Sequence, residues 1–164
     1  MVTPVPDFTA EIATNGGASV MLCFQCGTCT ASCPSGKVTA YRTRKLMRAA
    51  QLGLKDETMN SEDLWQCTTC YTCSERCPRD VQIVDVVTAI RNIAVANGKL
   101  YEGHKKVAGT LIKTGHTVDN NDKIKALRKE LGLPENPPTV IANPAAKADF
   151  DKVLELTGFK KLVG

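Results

Sequence analysis

All eight cysteines of this 164-residue chain stand in two copies of one pattern. The first copy is CFQCGTCTASCP, Cys23 to Pro34, and the second is CTTCYTCSERCP, Cys67 to Pro78. Both read C-x2-C-x2-C-x3-C-P, and they are offset by 44 residues. Three thiolates on one tight loop can each reach a corner iron of a [4Fe–4S] cube. The fourth lies just beyond that reach and is better placed to serve the cluster of the other copy. The predicted ligand sets are therefore Cys23, Cys26 and Cys29 with Cys77, and Cys67, Cys70 and Cys73 with Cys33. Zinc also takes four cysteines, but its structural sites usually divide them into two distant pairs. A disulfide framework needs an oxidising compartment. Two full copies of so specific a spacing favour two [4Fe–4S] clusters over both.

The rest of the inventory excludes other chemistry. Two clusters use all eight cysteines, so no thiol pair is left for disulfide exchange. No G-x-G-x-x-G is present for a flavin or nicotinamide, and no G-x-x-x-x-G-K-S/T. No pair of carboxylates has a spacing that points to acid–base work, and no catalytic residue is predicted. One-electron transfer remains. The net charge of +4 is mild, and it omits the negative charge that thiolate-bound clusters bring. Aromatics are only 5% and no nucleic-acid-binding signature appears, so no nucleic-acid partner is expected. The start, MVTPVPDFTAEIATNGG, has prolines and acids where a signal peptide has a basic start and an apolar run. No stretch of about 18 apolar residues could cross a membrane. A reducing, cytoplasmic location follows as the expectation.

The elements that must hold the cysteines are helical. Residues 1–22 read as an arm, because Pro4, Pro6, Gly16 and Gly17 interrupt any period. In the loops, Thr28 and Thr72 are equivalent and can donate to sulfur or simply face water. Pro34 and Pro78 follow the fourth cysteines and suit the first turn of a helix. Each fourth ligand would then meet the positive end of a helix dipole. Ser35 to about Leu52 fits one helix, with Lys37, Arg44 and Arg48 on one face and Thr39, Leu46, Ala49 and Ala50 opposite, and Gly53 as its stop. From Pro34 to Lys55 there are six basic residues and no acid. That basic face is either solvated or a docking surface. A short helix from Glu62 to Trp65, capped by Asn60 or Ser61, precedes the second loop, and Trp65 would cover a cluster or pack in the core. Tyr71 replaces Gly27, so the two cubes should differ in shielding.

Val81 to Gly98 carries Gln82, Asp85, Thr88 and Asn92 as one polar stripe on an otherwise apolar helix. It should be the most buried element. A helix over 101–118 interrupted by Gly109 and Gly115, one over Asp119–Leu131, a proline-rich linker and a last helix opened by Asn143 and Pro144 complete the chain. His104 and His116 each follow a glycine and fit surface roles better than ligand roles.

The segments CFQCGTCTASCPSGKVTAYRTRKLMRAAQLG and LWQCTTCYTCSERCPRDVQIVDVVTAIRNIA resemble the C subunit of heterodisulfide reductase from methanogenic archaea, most specifically from Leu22 to Gly98. The resemblance implies a mainly α fold, the α-helical ferredoxin fold, in which the two cysteine loops sit among helices. The 33 residues between Cys33 and Cys67 agree with that. The proline and glycine breaks divide the chain into arm 1–22, two-cluster domain 23–133, and linker and helix 134–164 suited to lying along a partner. The resemblance also implies partners. An A subunit holds flavin, and a B subunit reduces the mixed disulfide of coenzyme M and coenzyme B. A hydrogenase or formate dehydrogenase can belong to the same complex. This chain would be the wire between A and B, with all eight cysteines matching the cluster ligands of the family. The cysteine-rich repeat of the B subunit is absent. The alternatives are the relay subunit of another oxidoreductase and a zinc-bearing interaction module.

Overall fold

The computed structural model describes residues 3–163, so Met1 and Val2 of the expected arm and Gly164 of the tail lie outside the described residues. It is mainly helical, with no strand among the described residues. The chain divides into two compact units, Met1–Lys99 and Leu100–Gly164. The sequence points instead to a division at 133/134. The helices of 101–133 lack a cysteine loop to attach to and group with the C-terminal helices.

In the first unit the chain runs through α1 (Pro6–Ile12), a kinked turn at Ala13–Gly17 and a 3-10 turn at Ala18–Leu22. The first cysteine loop and α2 (Thr28–Ser32) follow, then α3 (Pro34–Val38), α4 (Thr43–Gln51), α5 (Lys55–Met59) and a 3-10 turn at Glu62–Gln66. The second cysteine loop, α6 (Thr72–Glu75) and α7 (Ile83–Ala96) complete it. Helix α7 is the spine. Ile83, Val84, Val86, Val87, Ala89, Ile90, Ile93 and Ala94 are buried. Gln82, Asp85, Thr88 and Asn92 are exposed, which is the predicted stripe.

The segment expected to be an arm is part of this core. Phe8, Ile12 and Val20 are each at most 1% exposed. Pro6 does not break a helix; it opens α1 at the position where a missing N–H costs nothing. Gly17 lets the backbone lie against the spine, since a Cβ there would stand 3.3 Å from Val86 Cα and 2.5 Å from Ile12 Cγ2. The segment is tied down by Val5 N donating to Gly53 O at 2.8 Å and Thr9 Oγ1 donating to Ala50 O at 2.8 Å. Lys55 pairs with Glu11 at 2.8 Å.

A second difference lies between Pro34 and Leu52. The single helix expected there is two, α3 and α4, joined through extended Thr39 and Arg42. The break carries Tyr41 into the core, where it is 1% exposed. Arg42 closes it by donating from Nη1 to the carbonyls of Gly36, Thr39 and Tyr41 at 3.0, 3.0 and 2.8 Å. Lys37 is therefore not on the face that carries Arg44 and Arg48. The buried side of α4 is as expected, with Leu46, Ala49 and Ala50 covered and Gly53 following at φ +67°. The 3-10 turn before the second loop starts after Ser61, whose side chain makes no capping bond.

The second unit holds α8 (Glu102–Thr114), α9 (Asp122–Glu130), a 3-10 turn at Val140–Ala142, α10 (Pro144–Leu156) and α11 (Phe159–Val163). Helix α8 runs through Gly109 without a break and stops at Gly115. Asn121 caps α9 by accepting from Ile124 N, and Asn143 caps α10 by accepting from Ala145 N and Ala146 N. Leu154 is its one buried apolar side chain among the described residues, while Leu127, Leu131, Leu133, Val153 and Leu156 are exposed.

Two substitutions test this packing. Ile12→Ala should destabilise the cluster-loaded chain by about 2–5 kcal/mol in denaturant unfolding, as a buried isoleucine does; a change within about 0.5 kcal/mol would mean a dispensable arm. Gly36→Ala should cost about 1–3 kcal/mol, since the new methyl would stand 2.9 Å from the Tyr41 carbonyl oxygen. No loss would mean that the turn yields freely.

Candidate iron–sulfur centre

The two cysteine loops have the same backbone. Gln25 and Thr69, 44 residues apart, take φ +66° and +52°, and Gly27 and Tyr71 take φ +87° and +61°. A left-handed glycine costs little; a left-handed tyrosine costs on the order of 1 kcal/mol. In each copy the third cysteine, Cys29 or Cys73, lies in the first turn of a short helix. These equivalent helices, α2 and α6, pack on each other. Arg76 Nη1 donates to Ser32 Oγ at 3.1 Å across the repeat offset of 44. Contact between equivalent positions is what a local two-fold relation between the copies requires.

The electrostatics of the thiols repeat as well. The Thr28 hydroxyl stands 3.4 Å from Cys26 Sγ and that of Thr72 3.5 Å from Cys70 Sγ. These contacts hold the Cys26 and Cys70 thiols below their ordinary range. Burial pushes the Cys29 thiol up. It pushes Cys73 up to about 11, with Cys67 and Cys29 adding to it. Metal binding overrides such preferences, because a coordinating thiol is deprotonated outright. In that state the two threonine hydroxyls are donors to sulfur.

Further polar contacts shape the loops, and none is visible in the sequence. Gln25 Nε2 donates to Cys23 Sγ at 3.4 Å and to Gln51 Oε1 at 3.2 Å, while Gln51 Nε2 donates to Cys23 O at 2.7 Å. Arg91 of the spine donates to Leu64 O at 3.0 Å and to Cys67 O at 2.7 Å, and its guanidinium lies 5.6 Å from the Trp65 ring. Trp65 packs against the same core as Cys23, Cys67, Cys73 and Cys77, so cover and core packing are one role here.

The fourth cysteines differ. Cys33 caps α3, accepting from Gly36 N at 3.4 Å, with Pro34 in the first turn as expected. Pro78 opens no helix. Cys77 begins a turn closed by Asp80 N donating to Cys77 O at 3.2 Å, and α7 starts only at Ile83. The charged Arg79 and the left-handed Asp80 (φ +51°) turn the chain before the apolar run begins.

Beyond Cys33, Ser35 Oγ donates to Gln66 O at 2.7 Å, which fastens the end of the first motif to the start of the second. Cys33 then lines one pocket with Cys67, Cys70 and Cys73, walled by Tyr41, Thr43 and Tyr71. Tyr41 Oη and Thr43 Oγ1 are buried there without a hydrogen-bond partner. Burial drives the Tyr41 phenol far above its usual range, and Cys67 and Cys33 add to this, while the neighbouring Thr43 hydroxyl pulls the other way without meeting it in hydrogen-bond geometry. Four thiols from both motifs around a pocket with orphaned donors fit a [4Fe–4S] cluster. Among the described residues no three His, Cys, Asp or Glu side chains close on a single ion.

Above the first loop an open groove is lined by Cys23, Phe24, Arg44, Lys45 and Arg48, with Glu57 as its acid. His104 stacks edge-on with Tyr101 at 5.6 Å, and His116 Nδ1 meets the Val118 backbone. Both belong to the second unit, while every cysteine belongs to the first.

Comparison with known proteins agrees with this centre. A family described as a 4Fe-4S dicluster domain matches residues 19–81. The chain is 53% identical over 146 residues to the iron-sulfur C subunit of the CoB–CoM heterodisulfide reductase of Methanopyrus kandleri, covering 89% of this chain and 76% of that protein. It is 51% identical over 158 residues to the C subunit of the H(2):CoB-CoM heterodisulfide,ferredoxin reductase of Methanothermobacter marburgensis, covering 96% and 85%. It is 39% identical over 146 residues to the C subunit of the ferredoxin:CoB-CoM heterodisulfide reductase of Methanosarcina mazei, covering 89% and 90%. No helix among the described residues is long and apolar enough to cross a membrane. The cofactors are two [4Fe–4S] clusters, and the chain belongs to the family of heterodisulfide reductase C subunits.

Proposed function

We propose that this chain is the electron wire of a cytoplasmic heterodisulfide reductase, standing between a flavin-containing A subunit and a B subunit that reduces the coenzyme M–coenzyme B disulfide. Its clusters are held by Cys23, Cys26, Cys29 and Cys77, and by Cys67, Cys70, Cys73 and Cys33. The observation that carries the reading is the pocket that gathers Cys33 with the three cysteines of the other loop. A bound [4Fe–4S] cluster supplies one-electron chemistry at a potential set by its surroundings. The chain's own residues hold the thiolates, offer Thr28, Thr72 and Gln25 as donors to sulfur, wall the second pocket with Tyr71 and pack Trp65 against the core that the cysteines share. The local two-fold relation of the loops supports the same crossing for Cys77.

Partner surfaces are supported at two places. The basic groove of Arg44, Lys45 and Arg48 beside Cys23 suits an acidic partner face close to the first cluster. The exposed leucines and valines of the second unit, Leu131, Leu133, Val153 and Leu156 among them, suit an interface with another subunit. One relative's name includes H(2)/formate, in Methanococcus maripaludis, which supports a hydrogenase or formate dehydrogenase in the same assembly.

Three experiments test this function. Electron paramagnetic resonance of Cys33→Ser should show damage to the cluster of Cys67, Cys70 and Cys73, with that of Cys23, Cys26 and Cys29 intact; the reverse pattern would establish local ligation. Arg44→Glu with Arg48→Glu should weaken assembly or slow electron transfer about tenfold or more at low salt, with the difference shrinking as salt rises; equal rates at low salt would leave the groove merely solvated. Reduced and alone, the chain should pass electrons to dyes and fail to turn over the coenzyme M–coenzyme B disulfide. Added to a complex that lacks it, it should restore electron flow from the flavin-containing subunit to the disulfide-reducing one. Steady disulfide reduction by the chain alone would overturn the assignment.

A further inference from the structure

The second cluster pocket contains two polar groups that the ligand set does not use. Tyr41 and Thr43 are each 1% exposed, and both hydroxyl oxygens are buried with no hydrogen-bond partner. The other such side-chain atom among the described residues, Asn120 Oδ1, lies in the other unit. Leaving a buried hydroxyl unpaired costs about 1–3 kcal/mol, and two in one wall call for an acceptor. The Tyr41 backbone is paired and held in place. Tyr41 N donates to Thr39 Oγ1 at 3.2 Å, and Tyr41 O accepts from Arg42 at 2.8 Å. Thr43 opens α4. The backbone thus aims both side chains inward, into the pocket lined by Cys33, Cys67, Cys70 and Cys73. The acceptors a [4Fe–4S] cluster brings to that space are its sulfides and the thiolate sulfurs. Counting on by the repeat offset gives Asp85 and Val87, neither of which carries a hydroxyl.

We infer that the Tyr41 and Thr43 hydroxyls donate hydrogen bonds to sulfur of the cluster bound by Cys33, Cys67, Cys70 and Cys73, and raise its reduction potential. The inference rests on the ligand set proposed above. Its physical basis is charge. Reduction adds one electron to an already anionic group, and a donor aimed at sulfur stabilises the more negative state. Both residues are positioning groups that tune the cluster without ligating it. The pair would set the second cluster apart from the first, which gives two carriers of one chain different places on a potential gradient.

The test uses the full chain loaded with both clusters without oxygen. Tyr41→Phe and Thr43→Val keep shape and remove the donors. Redox titration followed by electron paramagnetic resonance reads each cluster's midpoint. Proton ENDOR in light and heavy water reads exchangeable protons next to each reduced cluster. Cys26→Ser and Cys70→Ser mark which signal belongs to which loop. The expected result is a fall in the second cluster's midpoint in each variant, loss of an exchangeable proton coupling there, and no change at the first cluster. If both variants leave midpoints and couplings as in the parent while Cys33→Ser damages the second cluster, the hydroxyl inference fails and the ligand set stands. If Cys33→Ser damages the first cluster instead, the ligand set fails and the inference falls with it. Should Tyr41→Phe not take up clusters, Thr43→Val decides by the same criteria.

Discussion

Three thiolates fit on one tight loop and a fourth does not. The crossed ligation proposed here answers that shortage, and the contacts of the first unit are consistent with it. A fourth thiolate can come from the other copy only if the two loops face each other, and the packing of α2 on α6 with the Arg76–Ser32 contact holds them so. The helices after each motif must then double back instead of running on. The Ser35–Gln66 hydrogen bond and the break at Tyr41 do this on one side. The turn at Cys77–Asp80 does it on the other. Helix α7 and the N-terminal helices close the far side, so that the clusters' surroundings and the hydrophobic core are the same atoms.

The near-symmetry of the loops makes their differences informative. Both copies share the threonine beside the second cysteine and the left-handed positions in the loop. They differ at Gly27 and Tyr71, and in the buried hydroxyls of Tyr41 and Thr43. Tyr71, kept in a left-handed position against its own backbone preference, lines the second pocket. Shielding and hydrogen bonds to sulfur are the ordinary means by which one chain gives like clusters unlike potentials.

The chemistry with a strict spacing and the helix with a long period are legible in the sequence. The doubled motif points to two [4Fe–4S] clusters by residue type and interval, and the stripe Gln82, Asp85, Thr88, Asn92 shows α7 outright. The N-terminal helix escapes such a reading because seven residues carry only Phe8 and Ile12 as an apolar pair, too few for a period, and its prolines resemble breakers. The break between α3 and α4 leaves no mark, because no residue there forbids a helix; burial of Tyr41 and the carbonyl contacts of Arg42 impose it. Pro78 misleads in the opposite direction, since proline suits a turn as well as a first helical turn. The orphaned hydroxyls and the Gln25–Gln51 contact are tertiary and have no signature in a single chain.

The proposed crossing of the fourth ligands is the feature on which the account of the packing and of the electron-carrying role depends. A crystal structure of the chain grown without oxygen and loaded with both clusters measures it directly. Density should join Cys33 Sγ to an iron of the cluster held by Cys67, Cys70 and Cys73, with Cys77 bound reciprocally to the cluster of the first loop. Density joining Cys33 to the cluster of Cys23, Cys26 and Cys29 would contradict it.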